Sequence, residues 1–179
     1  MFQSIQFAKM FSFIVLLCCA SVIAQDPKPA VTEPTLLGKA MPAVTVQDLD
    51  AKPIKLTQFK GKATIITFWA TWCSPCIKEM PHFSKLVEEY QGKLQVLAVA
   101  VGDTREDTLN FAKKNSTYKV TWLFDPEEDI EISPVTKAFG ITGLPTNLFL
   151  DADGKVVDYW RGLESTDALV KKIQGLMAK

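Results

Sequence analysis

The stretch Trp72-Cys73-Ser74-Pro75-Cys76 places two thiols three positions apart, between an apolar run at 63–70 and a segment with helical spacing at 77–90. It therefore lies at a strand-to-helix junction, where the first turn of the helix has unpaired amide groups. Their partial positive charge favours the thiolate of Cys73, the reactive form of sulfur. Cys76 lies one turn further in, close enough to close a small disulfide ring and to resolve a mixed disulfide. The pair predicts redox chemistry on an α/β fold.

Half of a zinc site is the main alternative for this pair. Structural zinc needs four nitrogen or sulfur ligands, usually supplied by a second pair. The remaining candidates are Cys18 and Cys19, in an N-terminal apolar segment, and the single histidine, His82. This ligand set disfavours zinc, so no metal and no bound cofactor are expected beyond the redox-active disulfide Cys73/Cys76.

Chain length and charge limit the classes of function. The 179 residues suffice for one domain with a substantial core and are too few for two. The chain has 20 Lys and Arg against 20 Asp and Glu, so its charge indicates neither nucleic acid nor anionic lipid as a partner.

The N-terminus has the pattern of a secretory signal peptide at residues 1–24, with a retained inner-membrane anchor as the alternative. Residues 25–35 are rich in proline and are expected to form a tether, and residues 36–179 form the domain. Cleavage would leave only Cys73 and Cys76, which are too close in sequence to stabilise the fold by closing a long loop. An exported pair of this kind is expected to act in an oxidising compartment, the bacterial periplasm.

Hydrophobic periodicity predicts a mixed α/β sheet covered on both faces. An N-terminal β-hairpin is expected from Val44 to Leu56, and a final hairpin is expected around the turn 151–154. The other predicted strands lie at 63–69, 94–101 and 120–124, and the predicted helices at 77–90, 104–115, 134–139 and from Ser165 to Leu176.

Several motifs, in order, resemble the TlpA/ResA-like branch of the thioredoxin superfamily. They are Gly61-Lys62, the run from Phe68 to Cys76, Lys78-Glu79-Met80-Pro81, the run from Phe139 to Thr146, and Asp151 to Gly154. The resemblance implies a thioredoxin fold with an N-terminal β-hairpin and a central αβ insertion at 102–133. It also implies an exported thiol-disulfide oxidoreductase that reduces protein disulfides. Many members of this branch serve cytochrome c maturation by reducing the haem-binding thiols of apocytochrome.

The resemblance also assigns roles to residues. It makes Cys73 the attacking nucleophile and Cys76 the resolving thiol, and it matches Pro145 to a cis-proline that faces the disulfide. X-Pro bonds are the ones that are commonly cis, and a cis bond here would turn the backbone of Leu144 outward to pair with an extended substrate. An ordinary trans turn proline is the alternative. Trp72 is expected to shield the thiols and shape the docking surface, whereas Trp69 ends a buried strand and is expected in the core.

Glu79 matches the acidic residue that this branch often carries after the second cysteine. It follows Cys76 by three positions and so lies on the same helical face. As a buried carboxylate it would have a raised pKa and could exchange a proton with the resolving thiol. A solvated glutamate paired with a lysine is the alternative.

The dipeptide Ser74-Pro75 indicates the direction of electron flow. It lacks the His that strengthens oxidants, which predicts a reductant of disulfide-bearing proteins that is recharged by a membrane thiol-disulfide donor. It also lacks the Glu common in close cytochrome-maturation members, which weakens apocytochrome c as the substrate. The alternatives are a disulfide-forming oxidase, a non-catalytic copper-binding module and a peroxidase, although Ala70 stands where a peroxidase needs Thr or Ser.

Overall fold

The computed structural model describes residues 36–178, and the expectations for residues 1–24 and 25–35 lie outside the described residues. These residues form seven strands and four α-helices. The strands are β1 (Thr45–Asp48), β2 (Pro53–Lys55), β3 (Ala63–Trp69), β4 (Leu94–Ala100), β5 (Thr121–Phe124), β6 (Thr146–Leu150) and β7 (Val156–Arg161). The helices are α1 (Ser74–Glu89), α2 (Arg105–Lys114), α3 (Pro134–Phe139) and α4 (Thr166–Met177).

The strands form one sheet in the order β2-β1-β5-β4-β3-β6-β7. The strands β3, β4 and β5 are parallel, and the hairpins β1–β2 and β6–β7 add antiparallel pairs on either side. β3 is rich in β-branched and aromatic residues and is buried along six of its seven positions, as suits a central strand with neighbours on both edges. The predicted mixed sheet is confirmed.

Two hydrophobic clusters cover the two faces of the sheet. One contains Ile65 and Trp69 of β3 with Phe83 of α1 and Leu169 of α4. The other contains alternate residues of the same strand, such as Phe68, with the short helix α3. Successive side chains of a strand point to opposite faces, so β3 contributes to both clusters.

The element bounds differ from the predicted ones by small amounts. Helix α1 begins at Ser74, three residues before the periodic run at 77–90, as expected from the position of Cys73 at a strand-to-helix junction. Cys73 caps the helix and Pro75 fits its first turn. The helix continues through Pro81. The elements α2 and β5 occupy the predicted insertion, and β5 links the N-terminal hairpin to the sheet by pairing with β1 and β4.

The parallel pair β3 and β4 determines where the thiols lie. The carboxyl ends of parallel neighbours meet at the same edge of a sheet, and ligands of open α/β sheets commonly bind there. Beyond that edge, the loop 70–73 follows β3 and the loop 101–104 follows β4. The backbone amide of Val101 donates a hydrogen bond of 2.9 Å to the carbonyl of Trp69, which holds the two chain segments together.

Candidate active site

Cys73 and Cys76 form a disulfide at the N-terminus of α1, with their Cα atoms 5.3 Å apart. Cys73 is the N-cap residue, and its Sγ accepts a hydrogen bond of 3.3 Å from the amide of Cys76. Cys73 retains 5% exposure and Cys76 retains 1%. Cys73 is thus the more exposed residue of the pair, and its sulfur lies at the helix N-terminus, where helix amides stabilise negative charge.

The turn before the helix carries the two tryptophans in opposite environments. Trp69 is fully buried and packs against Phe111 and Trp122, as predicted for a core residue. Trp72 is 64% exposed, and its indole Nε1 donates a hydrogen bond of 2.8 Å to the carbonyl of Gly102. The exposed indole therefore has one fixed edge and one face open to a partner.

The Leu144–Pro145 peptide bond is cis. The register of β3 and β6 places Thr146 opposite Phe68, so Pro145 lies at the same edge of the sheet as the thiol-bearing turn. The loop is held on both sides of the proline: Thr146 Oγ1 donates to the carbonyl of Gly143, and the amide of Gly162 donates to the carbonyl of Pro145.

A groove of about 610 Å³ runs beside the thiol-bearing turn. Trp72 and Leu144 line it, together with Ile130 of the insertion and Ile141. Trp72 and Leu144, two of the three residues predicted from the sequence as substrate-binding, thus line a common groove, whereas Pro145 is not among its lining residues. The groove lining also includes the charged residues Glu131 and Lys137, and its apolar part can accommodate side chains of an extended peptide.

Glu79 is fully buried on α1. Its Oε2 accepts a hydrogen bond of 3.3 Å from Nδ2 of Asn147, whereas Oε1 has no hydrogen-bond partner among the described residues. Burial raises the pKa of Glu79 to about 7, and the opposing effects of the Asn147 amide and the Glu164 backbone are smaller. The burial contradicts the solvated alternative and places the Glu79 carboxyl one helical turn beyond Cys76.

Asn147 is a site residue that the sequence analysis did not identify. It lies opposite Thr67 of β3 and opposite Trp160 of β7. Thr67 Oγ1, Asn147 Oδ1 and Trp160 Nε1 are buried without a partner among the described residues, so the carboxyl of Glu79 is next to a polar strip in an otherwise apolar core. The sequence feature that could have identified Asn147 is a polar residue within an otherwise apolar strand, two positions after Pro145.

The remaining candidate groups do not join this site. Within residues 36–178 no cluster of three or more His, Cys, Asp or Glu side chains could hold a metal ion. His82 is half-buried, and a ring nitrogen lies 3.3 Å from the hydroxyl of Thr166. In the same range, no helix is both long and apolar enough to cross a membrane.

Comparisons with known proteins agree with this geometry. A model of the AhpC/TSA family matches residues 37–159. The thiol-disulfide oxidoreductase ResA of Bacillus thuringiensis subsp. konkukian is 36% identical over 141 residues, which cover 76% of this chain and 78% of that protein. The solved thioredoxin domain of a thiol-disulfide oxidoreductase from Bacteroides vulgatus is 26% identical, with a TM-score of 0.67 over 79% of this chain and 97% of that one. The exposed lipoprotein thioredoxin Etrx1 of Streptococcus pneumoniae is 26% identical, with a TM-score of 0.61 over 74% and 98%. The predicted thioredoxin fold and the resemblance to ResA are confirmed.

Proposed function

Since this chain belongs to the AhpC/TSA family and is a thiol-disulfide oxidoreductase of the ResA type, we propose that it reduces disulfides of exported proteins through Cys73 and Cys76. The observation that carries the proposal is the disulfide pair at the start of α1, with Cys73 as its N-cap and no cationic residue between the thiols. The helix terminus activates one thiol. The absence of a cation leaves the reduced pair without the extra stabilisation that makes a strong oxidant.

The exchange takes two steps. The Cys73 thiolate attacks one sulfur of the substrate disulfide, which forms a mixed disulfide and releases the other substrate sulfur as a thiolate. The Cys76 thiol then loses its proton and attacks Cys73 Sγ. The second substrate sulfur leaves as a thiolate, and the Cys73–Cys76 disulfide remains. Two electrons have passed to the substrate, and an external dithiol restores the reduced pair.

Glu79 is the proposed proton acceptor for Cys76. A carboxyl with a pKa near 7 can take up or release a proton at the pH of the compartment, which is the condition for efficient general acid–base catalysis. Its full burial keeps water from competing for that proton. The charged carboxylate also disfavours a second anion nearby, which opposes the accumulation of a stable Cys76 thiolate.

Trp72, Leu144 and Pro145 form the proposed substrate surface. The exposed indole supplies apolar area in the turn next to Cys73, and the backbone of Leu144 can pair with an extended segment that carries the substrate disulfide. The apolar groove beside them then accepts side chains of that segment.

The proposed cellular setting comes from the N-terminal sequence. Residues 1–24 are proposed to export the chain to the periplasm, with retention in the inner membrane as the alternative, and residues 25–35 are proposed to tether the domain. A membrane thiol-disulfide protein is the proposed electron donor. Apocytochrome c, with its Cys-x-x-Cys-His segment, is the proposed substrate.

The test is reduction of disulfide peptides by the pre-reduced full chain. An oxidised peptide with the Cys-x-x-Cys-His pattern should be reduced faster than a matched peptide with Ala in place of His, and insulin should also be reduced. The Cys73→Ser variant is the control and should reduce none of them. Equal rates for the two peptides would contradict the apocytochrome assignment alone. No reduction of any substrate would contradict the reductase proposal.

A further inference from the structure

A buried carboxylate on the neighbouring loop holds the turn that carries Cys73 in position. The turn spans residues 70–73 and is closed by a hydrogen bond of 3.1 Å from the amide of Cys73 to the carbonyl of Ala70. Its two central residues, Thr71 and Trp72, immediately precede the thiol. Both are bonded to the loop 101–104 that follows β4.

Asp103 makes most of this connection. Its Oδ2 accepts a hydrogen bond of 2.6 Å from the amide of Thr71, and its Oδ1 accepts one of 3.0 Å from the hydroxyl of the same residue. Oδ1 also accepts a 3.0 Å bond from the amide of Thr104, the N-cap of α2. The adjacent residue, Gly102, accepts the indole hydrogen bond of Trp72. Asp103 is only 8% exposed, so these donors replace the water that a carboxylate requires.

This connection matters because the reactivity of Cys73 depends on the position of its sulfur. The thiolate of Cys73 is stabilised only while Sγ stays within reach of the amide of Cys76 and the start of α1. A turn has few internal hydrogen bonds, so its position depends on groups outside it. Asp103 holds Thr71 at two atoms, and Thr71 is two residues from the thiol.

We propose that Asp103 is a positioning residue for thiol-disulfide exchange: its carboxylate fixes the turn 70–73 and so keeps Cys73 Sγ at the helix N-terminus. The inference rests on the proposed role of Cys73 as nucleophile. It also gives the central insertion a function, because the carboxylate bridges the catalytic turn to the first residue before α2. The role holds for either direction of electron flow.

The direction in which the Cys73 titration shifts distinguishes a loss of positioning from a simple loss of negative charge. Removal of a negative charge near a thiol would by itself favour the thiolate and move its titration to lower pH. Loss of positioning has the opposite effect, because Sγ leaves the helix amides. A shift to higher pH in a variant that has lost the carboxylate therefore reports geometry.

The experiment measures alkylation of the reduced full chain as a function of pH, with Cys73 and Cys76 followed separately by mass spectrometry. We expect Asp103→Ala to shift the Cys73 curve to higher pH and to slow its alkylation about tenfold at pH 7, comparable with the loss of one charge-assisted hydrogen bond. Asp107→Ala is the matched control. It removes an exposed carboxylate that bonds Thr104 and has no hydrogen bond to the turn, and it should leave the curve unchanged.

A second variant covers the case in which Asp103→Ala does not fold. Thr71→Val keeps the carboxylate and the backbone donor and removes one hydroxyl bond, so it should slow Cys73 alkylation in the same direction, by about threefold. An unchanged curve in both variants, or a shift of the Asp103→Ala curve to lower pH, would overturn the proposal. Faster labelling of Cys76 than of Cys73 in the unmodified chain would overturn the nucleophile assignment, a separate outcome from any shift of the Cys73 curve.

Discussion

The two sides of the Cys73–Cys76 disulfide differ in solvent exposure and in the kind of residue that they present. The outer side presents the exposed indole of Trp72 and the groove beside Leu144, and it can exchange partners. The inner side is a sealed polar strip in which Glu79 meets Asn147, with no exposure of either residue. The outer side is thus available for the proposed substrate recognition, and the inner side for the proposed proton exchange.

The difference follows from the dielectric of each side. A polar group at the surface gains or loses little free energy when its partner changes, because water replaces that partner. A buried carboxylate instead incurs the full desolvation free energy of its charge. This cost raises the pKa of Glu79 to about 7. We therefore expect changes at the outer side to alter recognition and changes at the inner side to alter pH dependence.

Loss of either thiol should have the largest effect. Cys73→Ser should abolish exchange, because no nucleophile remains at the helix N-terminus. Cys76→Ser should instead trap mixed disulfides through Cys73, because the resolving thiol is gone. Non-reducing electrophoresis of the variants with an oxidised substrate measures both outcomes. Trapping by Cys73→Ser, and not by Cys76→Ser, would reverse the roles.

Glu79→Gln should change the pH dependence of stability in the oxidised protein, in which the thiols do not titrate. With a pKa of 4.5 unfolded and about 7 folded, native Glu79 binds more protons between these values, so wild-type stability falls as pH rises through this window. The burial cost amounts to about 3 kcal/mol above pH 7 and is absent below pH 4.5. The variant should lose this slope.

Urea unfolding at pH 5 and pH 8 measures the slope, and Glu88→Gln, an exposed position on the same helix, is the control. An identical pH dependence in wild type and Glu79→Gln would show that the carboxyl is not penalised by burial. In the reduced protein, Glu79→Gln should also move alkylation of the thiols to lower pH, because a like charge is removed.

Trp72→Ala should have the smallest effect. Loss of the exposed indole should lower kcat/KM for peptide reduction about tenfold, as expected for a central aromatic contact. Leu37→Ala removes another exposed apolar side chain, near the start of β7 and away from the thiols, and should leave kcat/KM for peptide reduction unchanged. Equal effects of the two variants would remove Trp72 from the substrate surface.

Local patterns were sufficient to predict most of the fold. The strand predicted at 63–69, the hairpin turn at 151–154 and the helix predicted at 104–115 each depend on neighbouring residues, and each is present in the structure. The cysteine pair and the burial of Glu79 followed from spacing and from the family resemblance. In both cases the informative residues lie close together in the chain.

Long-range polar contacts were not predictable in the same way. Asn147 reaches Glu79 across 68 positions, and Asp103 reaches Thr71 across 32. Such pairs depend on strand register and on which loops meet at an edge of the sheet. The periodicity that identifies a strand does not specify its register with a distant neighbour, and so these partners became visible only in the folded chain.

The reduction potential of the Cys73/Cys76 pair tests the central claim most directly. Equilibration of the full chain with glutathione buffers, followed by alkylation and mass measurement, gives its value. We predict a potential nearer to the roughly −270 mV of thioredoxin than to the roughly −120 mV of a strong oxidant, because no cationic residue stands between the thiols and buried Glu79 disfavours a second anion. A potential above about −150 mV would contradict the reductase proposal and favour a disulfide-forming oxidase.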